Sequence, residues 1–360
     1  MSAVQAVAAT PTRMKRTVAL GADFWNDSCS VKELSEAVAN GATGATSNPV
    51  IVFAVVKSDT GTWLPVVDEL VRDRPEATEE DIAWKLIEAV ARKAAAVLEP
   101  VYQATGGRKG FLSVQVNPKL YRDAQRMVEH ARALATIAPN IAIKCPCTEA
   151  GVRAAEELVA QGINVNSTVS FSVSQAATVA EAFERGLERA KARGVDMQRM
   201  HPYATLMVGR LDDHLQRLLA KEGVTIDPGY LHWAGIAVFK KAREVFRRKG
   251  YRATLLAAAY RHHMHWSELV GPNVILTMPY AWWKQFDASS IEVSESLDRA
   301  VEPKVVEALL RGFPDFRRAF EEGAMAPPDF VRFGPTIHTL SQFIGGYHDL
   351  LGLVRERMLR

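Results

Sequence analysis

A lysine interrupts an apolar, strand-like run in the segment IAIKCPCTEAG, residues 141–151. Side chains of a strand alternate between two faces, so Ile141, Ile143 and Cys145 share one face and Lys144 lies on the other. If the strand belongs to a barrel, Lys144 points into it. An ammonium that is partly desolvated has a lowered pKa, and the neutral amine then attacks a carbonyl carbon. The segment therefore predicts Schiff-base chemistry on Lys144.

Charged residues with complementary chemistry occur at the ends of other strand-like runs. Asp23 ends the first run and is the predicted base for a substrate hydroxyl proton. Asp27, in the same FWNDS segment, is a rival for that role. Arg210 follows the sixth run and Arg261 the seventh, and two guanidinium groups suit a phosphate at the far end of a substrate.

Uncharged polar residues accompany these groups on the second, third and fifth runs. They are Asn48, Ser113, Gln115, Asn117, Asn166 and Thr168. The carboxyl ends of barrel strands are where barrel enzymes place their chemistry, so these residues are expected to share one face of the protein.

Structural roles compete with several of these interpretations. A lysine near a strand end is commonly a surface residue with its amine in water. Asn48 precedes Pro49, and such a pair is typical of a turn. Arg210 is close in sequence to Asp212 and Asp213 and is a candidate for an ion pair with either.

The elements that would position these residues alternate between β-branched apolar runs and amphipathic helical patterns, which indicates a parallel sheet. Eight such runs favour a closed (β/α)8 TIM barrel, with an open doubly wound sheet as the alternative. The predicted strands are 17–23, 42–50, 111–116, 140–146, 164–171, 203–208, 253–260 and 273–279.

Between the strands, Ser30 and Glu33 have the spacing of a capping box, and Thr148 is placed to cap a helix after strand four. The chain is predicted to form one domain over residues 1–360. Residues 1–16 are predicted to be a flexible leader. Residues 284–360 are predicted to be a helical extension that packs on the barrel through an apolar stripe on its last helix.

Composition excludes several classes of function. The 44 basic and 41 acidic side chains give a formal charge of +3 without a long single-sign run, which argues against nucleic-acid binding. No apolar stretch approaches the roughly 20 residues of a membrane span. The chain has 3 cysteines, too few for a disulfide framework, so a cytoplasmic location is expected.

His262, His263 and His265 form a cluster that suggests a metal site. The HHxH pattern lacks the i, i+4 spacing of a helical ligand pair and has no obvious carboxylate partner in the sequence. No metal is predicted.

The chain resembles the transaldolase family in four segments that follow one another in family order from about residue 17 to residue 280. They are GATGATSNPV, IAIKCPCTEAGVRAAEELVAQGINVNSTVSFSVSQA, VGRLD and AAAYRH. The resemblance implies a Schiff-base Lys144 on strand four, Asp23 as general acid/base, and Thr168 as the residue that holds the catalytic water.

The same resemblance implies the substrate-binding residues. Asn48 and Asn166 look like the residues that hold ketose hydroxyls, and Arg210 and Arg261 look like the phosphate-binding pair.

Some positions depart from the typical transaldolase pattern. Gln115 stands where a Glu is usual on strand three, as in the fructose-6-phosphate aldolase branch, and cannot accept a proton at neutral pH. That branch carries a Tyr on strand six, where this chain has Met207. Thr205 occupies the place of a substrate-binding Ser, and Ala259 replaces a Ser beside the phosphate site.

The resemblance implies an enzyme of the pentose phosphate pathway. It would transfer a dihydroxyacetone unit from a ketose phosphate, such as sedoheptulose 7-phosphate or fructose 6-phosphate, to an aldose phosphate, and no cofactor is predicted. One alternative is an aldolase that releases free dihydroxyacetone, and another is a sugar-phosphate-binding protein without catalysis. The sequence leaves open whether the chain forms a homo-oligomer.

Overall fold

The computed structural model of the protein describes residues 11–360. The first ten residues of the predicted leader lie outside this range. The prediction is wrong for residues 13–16, because they belong to helix α1 (Arg13–Ala19), which is held by Thr12 at its start. Arg13 also donates hydrogen bonds to the carbonyls of Asp287 and Ile291, so this segment is tied to the distant part of the chain.

Eight parallel strands form a closed barrel in which each strand pairs with the next along the chain and the last pairs with the first. The predicted (β/α)8 TIM barrel is thus confirmed, and the open sheet is excluded. The strands are β1 (Asp23–Asn26), β2 (Gly44–Thr46), β3 (Phe111–Gln115), β4 (Ile141–Pro146), β5 (Val165–Thr168), β6 (Tyr203–Met207), β7 (Thr254–Ala258) and β8 (Val274–Met278).

The first strand is the one that the sequence pattern misplaced. The run predicted as a strand at 17–23 begins inside helix α1, and the strand starts only at Asp23. Thr17 is buried and its hydroxyl donates to the Arg13 carbonyl one helical turn earlier. Gly21, with a φ of +93°, makes the left-handed turn between the two elements.

Helices surround the barrel. The predicted cap of the helix after β4 is confirmed, since Thr148 Oγ1 accepts a hydrogen bond from Gly151 N. Ser30 starts the helix after β1 as predicted, but its side chain makes no capping hydrogen bond. Between β1 and β6 the helices are α2 (Val31–Ala39), α3 (Pro49–Ser58), α4 (Thr60–Asp73), α5 (Glu79–Ala104), α6 (Ala124–Ala135), α7 (Glu149–Ala160) and α8 (Val173–Ala192).

The helices after β6 include the predicted C-terminal extension. They are α9 (Val208–Glu222), α10 (Pro228–Leu231), α11 (Ala234–Lys249), α12 (Met264–Ser267), α13 (Tyr280–Ala288), α14 (Pro303–Gly312), α15 (Pro314–Phe320), α16 (Pro327–Phe330) and α17 (Gly334–Met358). The predicted apolar stripe lies on α17, where Leu340, Phe343, Tyr347, Leu351 and Val354 are buried and Ile344 is half-buried. Within residues 11–360 no single helix is long and apolar enough to cross a membrane; α3 and α4 meet that test only as a bent pair, by length and composition.

Aromatic side chains fill the amino-terminal end of the barrel. The rings of Trp25 on β1 and Tyr203 on β6 lie 5.0 Å apart, and Phe111 on β3 is 6.3 Å from Tyr203. None of these strands are neighbours, so the three rings meet inside the barrel. Gly44 on β2 leaves the space that the Trp25 indole occupies.

We expect Gly44→Ala to destabilise the fold, because a Cβ there would lie 2.4 Å from Trp25 Cε2. Overpacking of this kind costs about 1–3 kcal/mol. The free energy of unfolding in urea measures it. Gly61→Ala is the matched control, since a Cβ at Gly61 meets nothing within 4 Å. Equal stabilities of the two variants would contradict the close packing of Gly44 against Trp25.

Candidate active site

Lys144 points into the barrel, as predicted from strand alternation. Its side chain is buried, with only 5% of the residue exposed, and its Nζ donates to the Ser47 carbonyl at 3.4 Å. Ser47 follows β2, which is not a neighbour of β4, so the amine crosses in front of β3 to reach it. In the barrel register, Gln115 on β3 and Asn166 on β5 stand directly beside Lys144.

The surroundings of Lys144 favour its neutral form. Burial lowers the pKa of the ammonium, while Asp27 raises it and Arg210 lowers it; the net pKa lies below the ordinary value. Since the imine-forming species is the free amine, this shift makes Lys144 a better nucleophile near neutral pH.

The carboxylate near Lys144 belongs to Asp27, and the prediction that Asp23 occupies this place is wrong. Asp23 is the first residue of β1, at the amino-terminal end of the barrel, where its Oδ1 forms a 2.5 Å ion pair with Lys109 Nζ. Asp27 directly follows β1 at the carboxyl end. Asp23 and Asp27 both point inward, and the error came from placing the first strand too early in the chain.

Asp27 is held by Thr46, which in turn contacts Thr277. Thr46 Oγ1 donates to Asp27 Oδ1 at 2.5 Å and lies 2.7 Å from Thr277 Oγ1. These threonines belong to β2 and β8, the two neighbours of β1. Burial raises the pKa of Asp27, and the opposing influences of Lys144, Thr46 and Arg210 do not cancel that rise. Asp27 therefore binds a proton more readily than an ordinary aspartate.

The polar residues beside Lys144 form a short network. Asn166 Nδ2 donates to Ser113 Oγ at 3.1 Å, and Thr205 Oγ1 donates to Asn166 Oδ1 at 2.6 Å. This fixes the orientation of the Asn166 amide. Gln115 is 3% exposed, and its Oε1 has no hydrogen-bond partner among the described residues. A buried acceptor of this kind suits a water or a substrate hydroxyl.

Thr168 ends β5 above this network. It is fully buried, and its hydroxyl lies 3.9 Å from the Met207 sulfur. The next residue, Val169, has a φ of +56°, which is strained for a β-branched side chain. The buried Gln175 holds this turn by donating to the Val169 carbonyl and accepting from Phe171 N.

Asn48 caps a helix with its side-chain oxygen, and its side-chain nitrogen is a donor. Its Oδ1 accepts from Ile51 N and thereby caps α3. The Asn48–Pro49 pair therefore starts a helix, and not the turn that such a pair commonly forms. The amide nitrogen of Asn48 is not needed for the cap and can donate to a ligand.

The two arginines differ in their partners. Arg261 forms a bidentate pair with Asp213 through Nε and Nη2, at 2.7–3.0 Å. Arg210, on the first turn of α9, instead donates from Nη1 to Gln342 Oε1 of helix α17, and its buried Nε has no partner among the described residues. Burial and the nearby Arg261 lower the pKa of Arg210. A bound anion would stabilise the charged guanidinium of Arg210 against both effects.

Asp212 supplies the carboxylate partner that the histidines lack in the sequence. A ligand atom of Asp212 lies within 4.8 Å of one each from His262 and His265, close enough for a shared metal ion. However, His265 Nδ1 accepts the Arg261 N–H at 3.1 Å, so in the neutral ring the proton is on Nε2, which donates to Asp212 Oδ2 at 2.8 Å. A metal would have to displace that Nε2 proton. The contacts instead form a hydrogen-bonded support for the backbone of Arg261.

Comparison with known proteins gives a consistent match. A family model described as transaldolase/fructose-6-phosphate aldolase matches residues 24–323. Transaldolase 1 of Streptomyces avermitilis is 33% identical over 301 residues, which are 76% of this chain and 79% of the relative. A transaldolase of Neisseria meningitidis is 28% identical over 340 residues, 84% of this chain and 96% of the relative. A transaldolase of Thermobifida fusca is 33% identical over 293 residues, which are 72% of this chain and 78% of the relative.

Asp212→Asn is expected to destabilise the fold by about 3 kcal/mol near neutral pH. Asp212 accepts from Gly235 N at one oxygen and from His265 at the other, so an amide would set its NH2 group against one of these donors. Burial alone would raise the pKa of Asp212, but His265, His262 and Gly235 lower it from 3.8 to about 2. The wild-type advantage is therefore present above about pH 4 and shrinks as the pH falls toward 2.

Urea unfolding between pH 7 and pH 3 measures this effect. Asp73→Asn, the same change at a side chain that is 53% exposed, is the control and should cost little at any pH. A pH-independent difference between wild type and Asp212→Asn would contradict the assignment of an ionised Asp212.

Proposed function

The chain belongs to the transaldolase/fructose-6-phosphate aldolase family, and from that membership we propose that it catalyses transaldolase chemistry through Lys144. The proposed reaction moves a dihydroxyacetone unit from a ketose phosphate, such as sedoheptulose 7-phosphate or fructose 6-phosphate, to an aldose phosphate. The relatives named transaldolase align with most of the chain, which supports this reaction over the binding-protein alternative. The observation that carries the proposal is a buried amine of lowered pKa near a buried carboxylate of raised pKa.

The first step is imine formation. The neutral Lys144 amine attacks the C2 carbonyl of the ketose, loss of water gives an imine, and the imine nitrogen then takes up a proton from solvent. Gln115 and Thr168 are proposed to hold the water that leaves and later returns, because both are buried and Gln115 Oε1 has no partner among the described residues.

The second step breaks the C3–C4 bond. Asp27 accepts the proton of the C4 hydroxyl, C4 becomes the carbonyl of the departing aldose phosphate, and the bonding electrons move into the iminium to give an enamine. The enamine carbon then attacks the carbonyl of an acceptor aldose phosphate while Asp27 returns the proton to the new hydroxyl. Hydrolysis of the resulting imine regenerates Lys144. Asp27 thus takes the role of general base that the sequence pattern predicted for Asp23.

Substrate binding is proposed to use the remaining polar residues. The amides of Asn48 and Asn166 bind hydroxyls of the ketose, and Thr205 fixes the orientation of Asn166. Arg210 and Arg261 bind the terminal phosphate. The unpartnered Nε of Arg210 supports this assignment.

A second candidate function is aldol cleavage that releases free dihydroxyacetone. Gln115 supports it, because a glutamine cannot accept a proton and so alters how the water at this place is used. Free dihydroxyacetone formed from fructose 6-phosphate without an acceptor, at a rate matching the transfer rate, would favour this candidate.

The pathway, the cellular location and the oligomeric state are inferred from the sequence and the family alone. A place in the pentose phosphate pathway and a cytoplasmic location stay predictions, as does homo-oligomer formation. All three cysteines are buried and free of disulfides, in keeping with a reducing compartment.

Borohydride reduction in the presence of fructose 6-phosphate tests the proposed function. We expect one stable adduct, assigned by peptide mass spectrometry to Lys144, and none in Lys144→Ala. Lys109→Ala is the control lysine variant and should keep the adduct, because Lys109 pairs with Asp23 at the other end of the barrel. Wild-type protein that binds the sugar without an adduct would leave only the binding-protein alternative.

Asp27→Asn is expected to lower kcat by about 10²–10⁴-fold, since an amide cannot accept the C4-hydroxyl proton. The same change removes the negative charge that raises the pKa of Lys144, so imine trapping in this variant should extend to lower pH. Steady-state transfer assays and trapping across pH measure the two effects. Asp23→Asn should keep kcat within a few-fold of wild type; the reverse ranking would restore Asp23 as the base.

A further inference from the structure

Helix α17 crosses the opening at the carboxyl end of the barrel. It contacts both α9 and α3. The first of these helices begins just after β6 and the second just after β2. In a closed barrel of eight strands, β2 and β6 lie on opposite sides. A helix that contacts both neighbouring helices therefore passes over the opening between them.

Close contacts fix α17 in this position. A Cβ on Gly346 would lie 2.4 Å from Val50 Cγ2, so the helix backbone rests directly on the start of α3. Trp84 Nε1 of α5 donates to Tyr347 Oη at 2.9 Å. At the other end, Gly334 lies against the ring of His214 on α9. Side chains between these contacts, on the third turn of α17, are thus held at a defined height above the site.

Gln342 of α17 contacts Arg210 at the carboxyl end of the barrel. Its Oε1 accepts a hydrogen bond from Arg210 Nη1. Because the oxygen faces Arg210, the NH2 group of this amide is a donor for another ligand. Arg210 Nε, buried and without a partner among the described residues, is a second donor at the same place.

The charges show why an amide at this position suits an anionic ligand. Asp213 neutralises Arg261 through a bidentate pair, whereas Gln342 orients Arg210 without neutralising it. Arg210 therefore keeps its positive charge for the substrate. A glutamate at position 342 would compete with a phosphate for that charge.

We propose that Gln342 is a specificity-determining residue that binds the terminal phosphate of the sugar together with Arg210 and Arg261. The inference rests on the proposed function and extends it by assigning part of the phosphate site to the C-terminal helix. Gln342 contributes an amide donor from above, and Arg210 and Arg261 contribute guanidinium donors from the ends of β6 and β7.

Reductive trapping at Lys144 with phosphorylated and unphosphorylated sugars tests this assignment. The measured quantity is the sugar concentration that gives half-maximal adduct, for fructose 6-phosphate and for fructose. We expect Gln342→Ala to raise the value for fructose 6-phosphate about tenfold, the effect of one hydrogen bond to a charged group. Gln342→Glu should raise it further, and neither variant should change the value for fructose.

Gln216→Ala is the matched control, because Gln216 is an exposed glutamine on α9 and should change neither value. Equal shifts for both sugars, or no shift for fructose 6-phosphate, would overturn the assignment of Gln342. Wild-type protein that forms no adduct would refute the proposed function instead. In that case calorimetric binding of fructose 6-phosphate and fructose to the same variants still decides whether Gln342 binds the phosphate.

Discussion

The structure depends on keeping one amine out of water inside a closed barrel. Lys144 is surrounded by strands on all sides, and burial is the largest influence on its pKa. The same burial acts in the opposite sense on Asp27, whose pKa rises. Desolvation disfavours the charged form of both groups. It therefore lowers the pKa of Lys144 and raises that of Asp27, which brings the two values closer together. The barrel interior can do this because polar side chains line one end and aromatic rings fill the other.

The charges around this pair are arranged in layers. Nearest to Lys144 are neutral groups, the amides of Gln115 and Asn166 and the carbonyl of Ser47. The arginines lie farther out at the ends of β6 and β7, and their partners come from α9 and α17. Asp212 and His265 support the backbone of Arg261 from below. The positive charge that would bind a phosphate is thereby kept apart from the amine that must stay neutral.

Where strand alternation and strand ends were clear, the sequence predicted the fold and the positions of most of the candidate site residues. Lys144, Gln115, Asn166 and Thr168 all lie on strands whose predicted and observed bounds agree within three residues. The error at Asp23 has a local cause: β-branched Thr17 and Val18 in a short helix resemble a strand. Tertiary contacts also escaped prediction, since Gln342 and Arg210 are 132 residues apart in the chain. The Asp212 partner of the histidines is another such contact, 53 residues from His265.

The aromatic plug of Trp25, Phe111 and Tyr203 has a consequence for the order of events. With the amino-terminal end filled, sugars enter and leave the barrel only through the end that carries Lys144 and Asp27. In the proposed reaction, the first aldose phosphate leaves through this same opening before the acceptor approaches the enamine. Sharing one opening in this way is compatible with a ping-pong scheme, in which the first product leaves before the second substrate binds.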